Sequence, residues 1–408
     1  MLKNPSLFKL NDVIDVPLSH FPESVCKTSS DWINRRRLLK LGGFIMWAFD
    51  QILAFLAAEQ GGGSPHTCPK SQVSIFVSLA MVLRSHPSAF TIVLATLRQS
   101  RYRYRGQDKL PLMVWMMAQA SQGDLAVGLY SWAHNLLPLV GSNPQTRDLI
   151  LQLVEKILSN PNAPTILVNK AISNGKPLIP PPSFEILLRL TFPAPSARVK
   201  ATERFEAIYP VLKEVALAGR PGSRVMKEVT QQIFTSTLKL PQQGSPVLAK
   251  EATEIAIWCV TENVDCCNHW GSLYMQNLEA SVALLKKLVD EWKDHSLKLS
   301  SSKRDTFTLI RTMQSFRLKN EKAITEGGAN GSLYKEADES CKVILGRLGR
   351  GRSCLKGTAS PRLSLGSGWL KGTAITDVVL AAAGVLSFNL EATTHWICTY
   401  SSMQPPQP

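Results

Sequence analysis

At 408 residues and 44% hydrophobic content, the chain can bury a sizeable core, which excludes wholesale disorder and allows one large domain or two to three ordinary ones. Lys and Arg outnumber Asp and Glu by 46 to 31, a formal charge of +15. That excess suits an acidic partner (anionic lipid head groups, nucleic acid or an acidic protein face) or serves solubility alone. Eight cysteines without a Cys-x-x-Cys pair argue against a secreted disulfide framework. They read as reduced thiols facing the cytosol, where the sequon Asn330-Gly331-Ser332 would not meet the glycosylation machinery.

Residues 1–30 mix Pro, Asp, Glu and Lys without an apolar run, so they read as an extended lead-in and not as a signal peptide. In "NRRRLLKLGGFIMWAFDQILAFLAAEQGGG" a basic cluster precedes a long apolar stretch, which Asp50 and Gln51 interrupt near its middle. A central Asp costs about 2.5–3.5 kcal/mol on membrane insertion. Leu38, Leu41, Ile45, Phe49, Ile52 and Leu56 keep helical spacing, so a buried helix is expected in preference to a membrane span. Next, "RQSRYRYRGQDK" places Tyr102 and Tyr104 among arginines, a pattern that can stack bases and meet phosphates. It is short, lies between helices and has no RRM, KH or OB signature, so an exposed loop is the simpler reading and nucleic acid an unlikely partner.

Helical signals continue from there. Asn143 and Pro144 open a helix whose apolar face is Leu149, Ile150, Leu153, Val154, Ile157 and Leu158, and Asn160-Pro161 stops it. Val199, Phe205, Ile208, Leu212, Val215 and Leu217 line another, in which Pro210 predicts a kink or a break and Gly219 suits the cap. Ser245-Pro246 starts a further helix, and Leu278, Val282, Leu285 and Val289 repeat at turn spacing in the next. Alternating strand-like runs are scarce. The expected fold is all-α: a multi-helical, α-solenoid-like array of HEAT or armadillo type over residues 31–345, although no clean repeat of about 40 residues is visible.

Beyond Gly346 the composition turns to Gly, Ser and Arg, which reads as a basic linker over 346–374. Arg347–Ala359 aligned with Arg362–Ala374 matches at eight of thirteen positions, a duplicated piece of linker. Lys342, Arg347, Arg350, Arg352, Lys356, Arg362 and Lys371 form a run without acids between Glu339 and Asp377, suited to an anionic membrane surface. A C-terminal hydrophobic segment follows at 375–390, with Ile375, Val378, Val379, Leu380, Val385, Leu386, Phe388 and Leu390 as its candidate membrane-facing residues, and 391–408 is a tail. The uncharged interval between Asp377 and Glu391 is thirteen residues, about 20 Å of helix against a bilayer core of about 30 Å.

No catalytic set stands out. Cys259, Cys266, Cys267 and His269 come close in sequence, but adjacent cysteines point different ways on a helix, so buried thiols are expected and no metal. "EGGANGS" lacks the Lys-Ser/Thr of a phosphate loop and reads as a turn; there is no Gly-x-Ser-x-Gly elbow. His134 in "YSWAHNLLP" reads as a hydrogen-bonded core histidine, and the surface carboxylates as solvated ion pairs worth ~0.2–0.5 kcal/mol each. The expectation is a non-enzyme without cofactor or small-molecule substrate, whose partners are proteins.

The longest strings are more specific than any motif. "LPLMVWMMAQASQGDLAVGLYSWAHNLLPLVG", "NPQTRDLILQLVEKIL", "LIPPPSFEILLRLTFPAPSARVKATERFEAIYPVLKEVALAG" and "DEWKDHS" resemble the plant branch of the transmembrane protein 214 family, over roughly Leu10 to Gly346. The resemblance implies an endoplasmic-reticulum membrane protein with a large cytosolic helical region and membrane segments near the C-terminus. It also implies a scaffold or adaptor role, since animal members are associated with apoptosis signalling under endoplasmic-reticulum stress through recruitment of a caspase. It brings no catalytic residues. Family members usually extend beyond this N-terminus, so a shortened chain is expected, and the tail "HWICTYSSMQPPQP" departs from the pattern. The competing expectation is a soluble basic α-solenoid that binds RNA or protein without an anchor.

Overall fold

The computed structural model describes residues 8–60, 69–99, 106–141, 143–240, 245–327 and 330–354. Order begins early. Phe8 is buried, a single turn α1 (Leu10–Val13) buries Leu10, and a 3-10 turn at Leu18–His20 leads into α2 (Glu23–Asn34). The extended lead-in expected for residues 1–30 is therefore corrected from Phe8 onward. Leu10 and Ile14 are core residues, and the backbone around them is pinned: Leu10 N donates to Gln152 Oε1 at 2.8 Å and Trp115 Nε1 to the Val13 carbonyl at 3.2 Å. Polar side chains hid this segment's few apolar anchors from a compositional reading.

α3 (Leu38–Gln60) packs on both α4 (Pro69–Ser85) and α5 (Pro87–Gln99), and α4 on α6 (Leu110–Gly123). α6 is buried from Leu110 through Ser121, which explains its almost uninterrupted apolar sequence. Asp124 then caps α7 (Leu125–Ser131), its Oδ1 accepting from Ala126 N at 2.9 Å. Gly128 lets α7 cross α6 closely, because a Cβ there would lie 2.4 Å from that of Ser121. A π-turn at Trp132–Leu136 and a 3-10 turn at Leu137–Leu139 follow. α8 (Pro144–Leu158) opens as its sequence predicts, Asn143 Oδ1 accepting from Gln145 N at 2.9 Å, and five of the six expected core positions are fully buried.

α9 (Ala163–Asn169) ends in a two-stranded hairpin that the sequence reading missed, β1 (Ile172–Ser173) against β2 (Lys176–Pro177). Its turn is Asn174-Gly175, both at positive φ (50° and 71°), the pairing that a tight hairpin favours. α10 (Pro181–Thr191) and α11 (Lys200–Leu217) follow. α11 runs unbroken through Pro210, so of the expected kink or break the break does not occur. Pro210 lies on the exposed side of the helix, the side on which a carbonyl left without its helical donor is most readily hydrated.

The rest is a row of helices: α12 (Arg224–Lys239), α13 (Pro246–Glu262), α14 (Cys266–Leu273), α15 (Leu278–Asp290), α16 (Trp292–Leu299), α17 (Lys303–Thr325) and α18 (Gly331–Cys354). Each packs on partners one to three places along the chain: α10 on α11 and α12, α12 on α13 and α14, α13 on α15, α15 on α18, α17 on α18. One continuous core runs from Phe8 to Leu348. The fold is all-α apart from the hairpin, among the described residues. α18 carries helix past Gly346, so the expected linker does not begin there; the buried Cys341, Ile344 and Leu348 keep this helix on the body.

Candidate functional site

α11 leaves its last turn at Ala218, and the next residues are tightly constrained. Gly219 sits so close to Met226 that a Cβ would lie 2.3 Å from its Sδ, and Gly222 takes φ +71°. Ser223 Oγ then accepts from Met226 N at 3.3 Å to start α12. This turn, the end of α9 and the first hairpin strand frame a cavity of ≈630 Å³ whose walls include Asn169, Arg220, Lys227, Trp258 and Asn263. Across Trp258 lies a second hollow of ≈460 Å³, edged by Lys287, Glu291, His295 and Lys298.

Hydrogen bonds fix the walls. Asn263 Nδ2 donates to Thr230 Oγ1 at 3.0 Å, and Lys298 Nζ reaches Glu262 Oε1 at 2.6 Å. Glu291 lies between Lys287 (3.0 Å) and His295 (3.2 Å), and the Lys287 hydrogen bond chiefly holds its carboxyl below the usual range. The result is a concave surface with an aromatic centre and charges of both signs at its edge. Such an arrangement suits a peptide or protein segment.

The residues singled out by sequence fall elsewhere. Cys259, Cys266 and Cys267 are buried, and burial pushes all three thiols up, Cys266 to about 12, away from the thiolate that a metal requires; His269 is exposed. No cluster of metal-ligating side chains occurs among the described residues. His134 lies in the π-turn, its ring 4.0 Å from that of Tyr130. Nε2 donates to the Pro177 carbonyl at 3.2 Å and Nδ1 accepts from Arg98 Nη1 at 3.4 Å, which makes it a neutral Nε2–H tautomer tying α5 and the hairpin together. Burial, with smaller contributions from Arg98 and Lys176, pulls it down to about 4.

Of the basic run, Lys342 and Arg347 are engaged by the body. Lys342 Nζ pairs with Asp338 Oδ2 (2.9 Å) and Glu339 Oε1 (2.7 Å), and Arg347 Nη1 donates to the Val289 carbonyl. Counting charges along the chain from Glu339 had passed over Asp338, which a helix brings within reach of Lys342. Arg350 and Arg352 belong to α18. Lys356, Arg362, Lys371, the whole segment 375–390 and residues 100–105 of the Arg/Tyr stretch lie outside the described residues.

Surface charges also do more than solvate. Arg204 on α11 grips Glu155 Oε1 and Oε2 on α8 at 2.7 and 2.6 Å and bonds Asp148 as well. Glu251 on α13 accepts from both Tyr209 and Lys213 on α11. These are ties between helices, which a reading limited to i,i+4 neighbours does not find.

Comparison with known proteins gives the family. The model described as "TMEM214, C-terminal, caspase 4 activator" matches residues 74–395. The chain belongs to the transmembrane protein 214 family. Transmembrane protein 214 of Homo sapiens is 24% identical over 84% of this chain and 49% of its own length. The Bos taurus protein is 24% identical over 80% and 44%, and transmembrane protein 214-B of Xenopus laevis 25% over 59% and 32%. The chain thus spans about half, or less, of these family members. No solved structure matches. Among the described residues, one helix of this family member is long and apolar enough to cross a membrane, Leu38–Ala58 in α3.

Proposed function

We propose that the chain is a non-enzymatic helical scaffold or adaptor of the endoplasmic-reticulum membrane, its bulk on the cytosolic side, connected with stress or apoptosis-type signalling. The membrane and signalling parts draw on the family, whose model is described as a caspase 4 activator and whose relatives are named transmembrane proteins. The adaptor part is carried by one observation: the two hollows meeting at Trp258, with Arg220, Lys227 and Lys298 at the edge of a row of helices. We read that row as an α-solenoid-like array, which presents concave surfaces to protein segments. The mechanism is recruitment: the Trp258 surface holds a protein partner, residues 375–390 anchor the chain, and the basic residues before them meet anionic lipid.

Two experiments test this reading. Carbonate extraction of microsomes checks the anchor: the chain stays with the membrane, and deletion of 375–390 releases it; a chain that washes off intact overturns the integral reading. Proximity labelling from the full chain against the Trp258→Ala, Lys227→Glu variant checks the adaptor. A set of labelled proteins lost in the variant supports recruitment, and an identical set in both removes it.

A further inference from the structure

Large apolar side chains are exposed at scattered positions such as Leu297, Phe307 and Leu318, but among the described residues seven of the sixteen fall between Val16 and Trp47. Trp32 on α2 is 58% exposed, and on α3 Leu39 is 68% and Trp47 50% exposed. α3 is apolar on both sides, yet only one side has a protein partner. Leu41, Ile45, Phe49 and Ile52 are buried where it packs on α4 and α5, whereas Leu39, Gly43 and Trp47 follow one another along the open side.

Cations stand beside this apolar surface. Arg35, Arg36, Arg37 and Lys40 are all exposed at the junction of α2 and α3, and no carboxylate pairs with them among the described residues. The Arg36 guanidinium lies over the Trp32 ring at 3.9 Å. Arg36 and Lys40 edge a cavity of ≈710 Å³ between α2, α3 and α4, lined on its apolar side by Ile33, Leu41, Phe44 and Met81. Trp47 continues the surface, its ring 5.8 Å from that of Phe44.

We propose that α2 and α3 form a docking face for an anionic phospholipid bilayer, separate from residues 375–390. Arg35, Arg36, Arg37 and Lys40 meet head-group phosphates, Trp32 and Trp47 sit at head-group level, and Leu39 enters the acyl boundary. The charge pattern selects this occupant: tryptophans at the edge of an apolar face with unpaired cations next to them match the interfacial layer of a membrane. In-plane docking follows from the packing. The inner side of α3 is already taken by α4 and α5, and Asp50 and Gln51 fall mid-helix, so the helix meets lipid with one side only.

The test uses the full chain and its tryptophan fluorescence on vesicles of phosphatidylcholine with phosphatidylserine, made with and without brominated acyl chains. Bromine quenches tryptophans at the bilayer boundary, so wild type loses more fluorescence than the Trp32→Phe, Trp47→Phe variant; equal quenching in the two overturns the proposal. Both substitutions fall at exposed positions and keep an aromatic ring, so the fold is retained. Replacing Arg36 and Lys40 by Gln lowers partitioning onto vesicles of the 375–390 deletion chain by roughly 30-fold; unchanged partitioning also overturns it. Quenching is read whether or not 375–390 anchors the chain, so failure of the anchor and failure of this face are distinct results. Self-association that is lost in Trp32→Ala, Trp47→Ala, with no vesicle binding, assigns the face to a second copy and refutes the lipid reading.

Discussion

Arg84 donates through Nη2 to the carbonyl oxygen of Ile14 at 2.7 Å and through Nε to Gln119 Oε1 at 2.7 Å, while Gln119 Nε2 donates to the same Ile14 carbonyl at 2.6 Å. One backbone oxygen near the start of the chain is thus held by α4 and α6 together. A second charge, Asp15, stands 3.6 Å from the guanidinium. Arg84→Met is expected to lower stability by about 1.5–3 kcal/mol, the range for a charged hydrogen bond whose loss leaves its buried partner underused. Urea unfolding measures it. Limited proteolysis gives a second readout, because residues 8–20 should become cleavable in the variant while the later helices remain protected.

The C-terminal half has its own aromatic centre. Tyr274 and Phe316 stack at 4.0 Å, Trp270 meets Phe316 edge-on at 5.1 Å, and Trp270 Nε1 donates to Ser281 Oγ at 3.0 Å. Trp270→Ala is expected to cost about 3–5 kcal/mol. Tyr274→Phe keeps the stack but strips the 2.8 Å bond to buried Asn320, for about 1–3 kcal/mol. Thermal and chemical unfolding measure both; a loss in Trp270→Ala, which removes ring packing and the Ser281 bond together, no larger than that in Tyr274→Phe would contradict the assignment.

How much of this was legible beforehand depends on the kind of signal. Elements opened by a local cap and a sustained period, as at Asn143-Pro144, read directly, because capping and periodicity are local physics. The hairpin at Asn174-Gly175 carried a strong local signal and was overlooked because its strands are only two residues long. The anchoring of Ile14, the grip of Arg204 on α8 and the pairing of Lys342 depend on which helices become neighbours. Composition alone cannot supply that. For α3 the expectation of a buried helix described one face and missed the other, since Leu39 and Trp47 are as apolar as the residues inside. The Trp258 hollows left no pattern in the sequence, because their walls come from several separate elements.

Thiol chemistry follows from burial. Desolvation drives Cys266 and Cys341 to about 12 and raises Cys259 and Cys267 further, so all four hold negligible thiolate at pH 8. In the native protein these four should stay unmodified by a thiol-exchange reagent at pH 8 under conditions that label them fully in denaturant. Peptide mapping after labelling identifies them. Rapid native modification of Cys266 or Cys267 would show that the α13–α14 region opens in solution.

His134 makes stability depend on pH. Burial is the main reason that its folded-state value falls to about 4 from an ordinary 6.5. Above pH 6.5 both the folded and the unfolded chain carry the ring neutral, and its contribution is at its full value. Between 6.5 and 4 the unfolded chain takes up a proton that the folded chain does not. Stability therefore falls with decreasing pH by up to about 1.4 kcal/mol per unit, about 3 kcal/mol over the window. Below 4 the folded state binds the proton too, and this contribution levels off. His134→Gln preserves a donor for the Pro177 carbonyl and removes the titration, so the variant's unfolding midpoint should change less between pH 7 and pH 4.5 than that of wild type. Parallel curves for the two proteins would place the acid sensitivity in other groups.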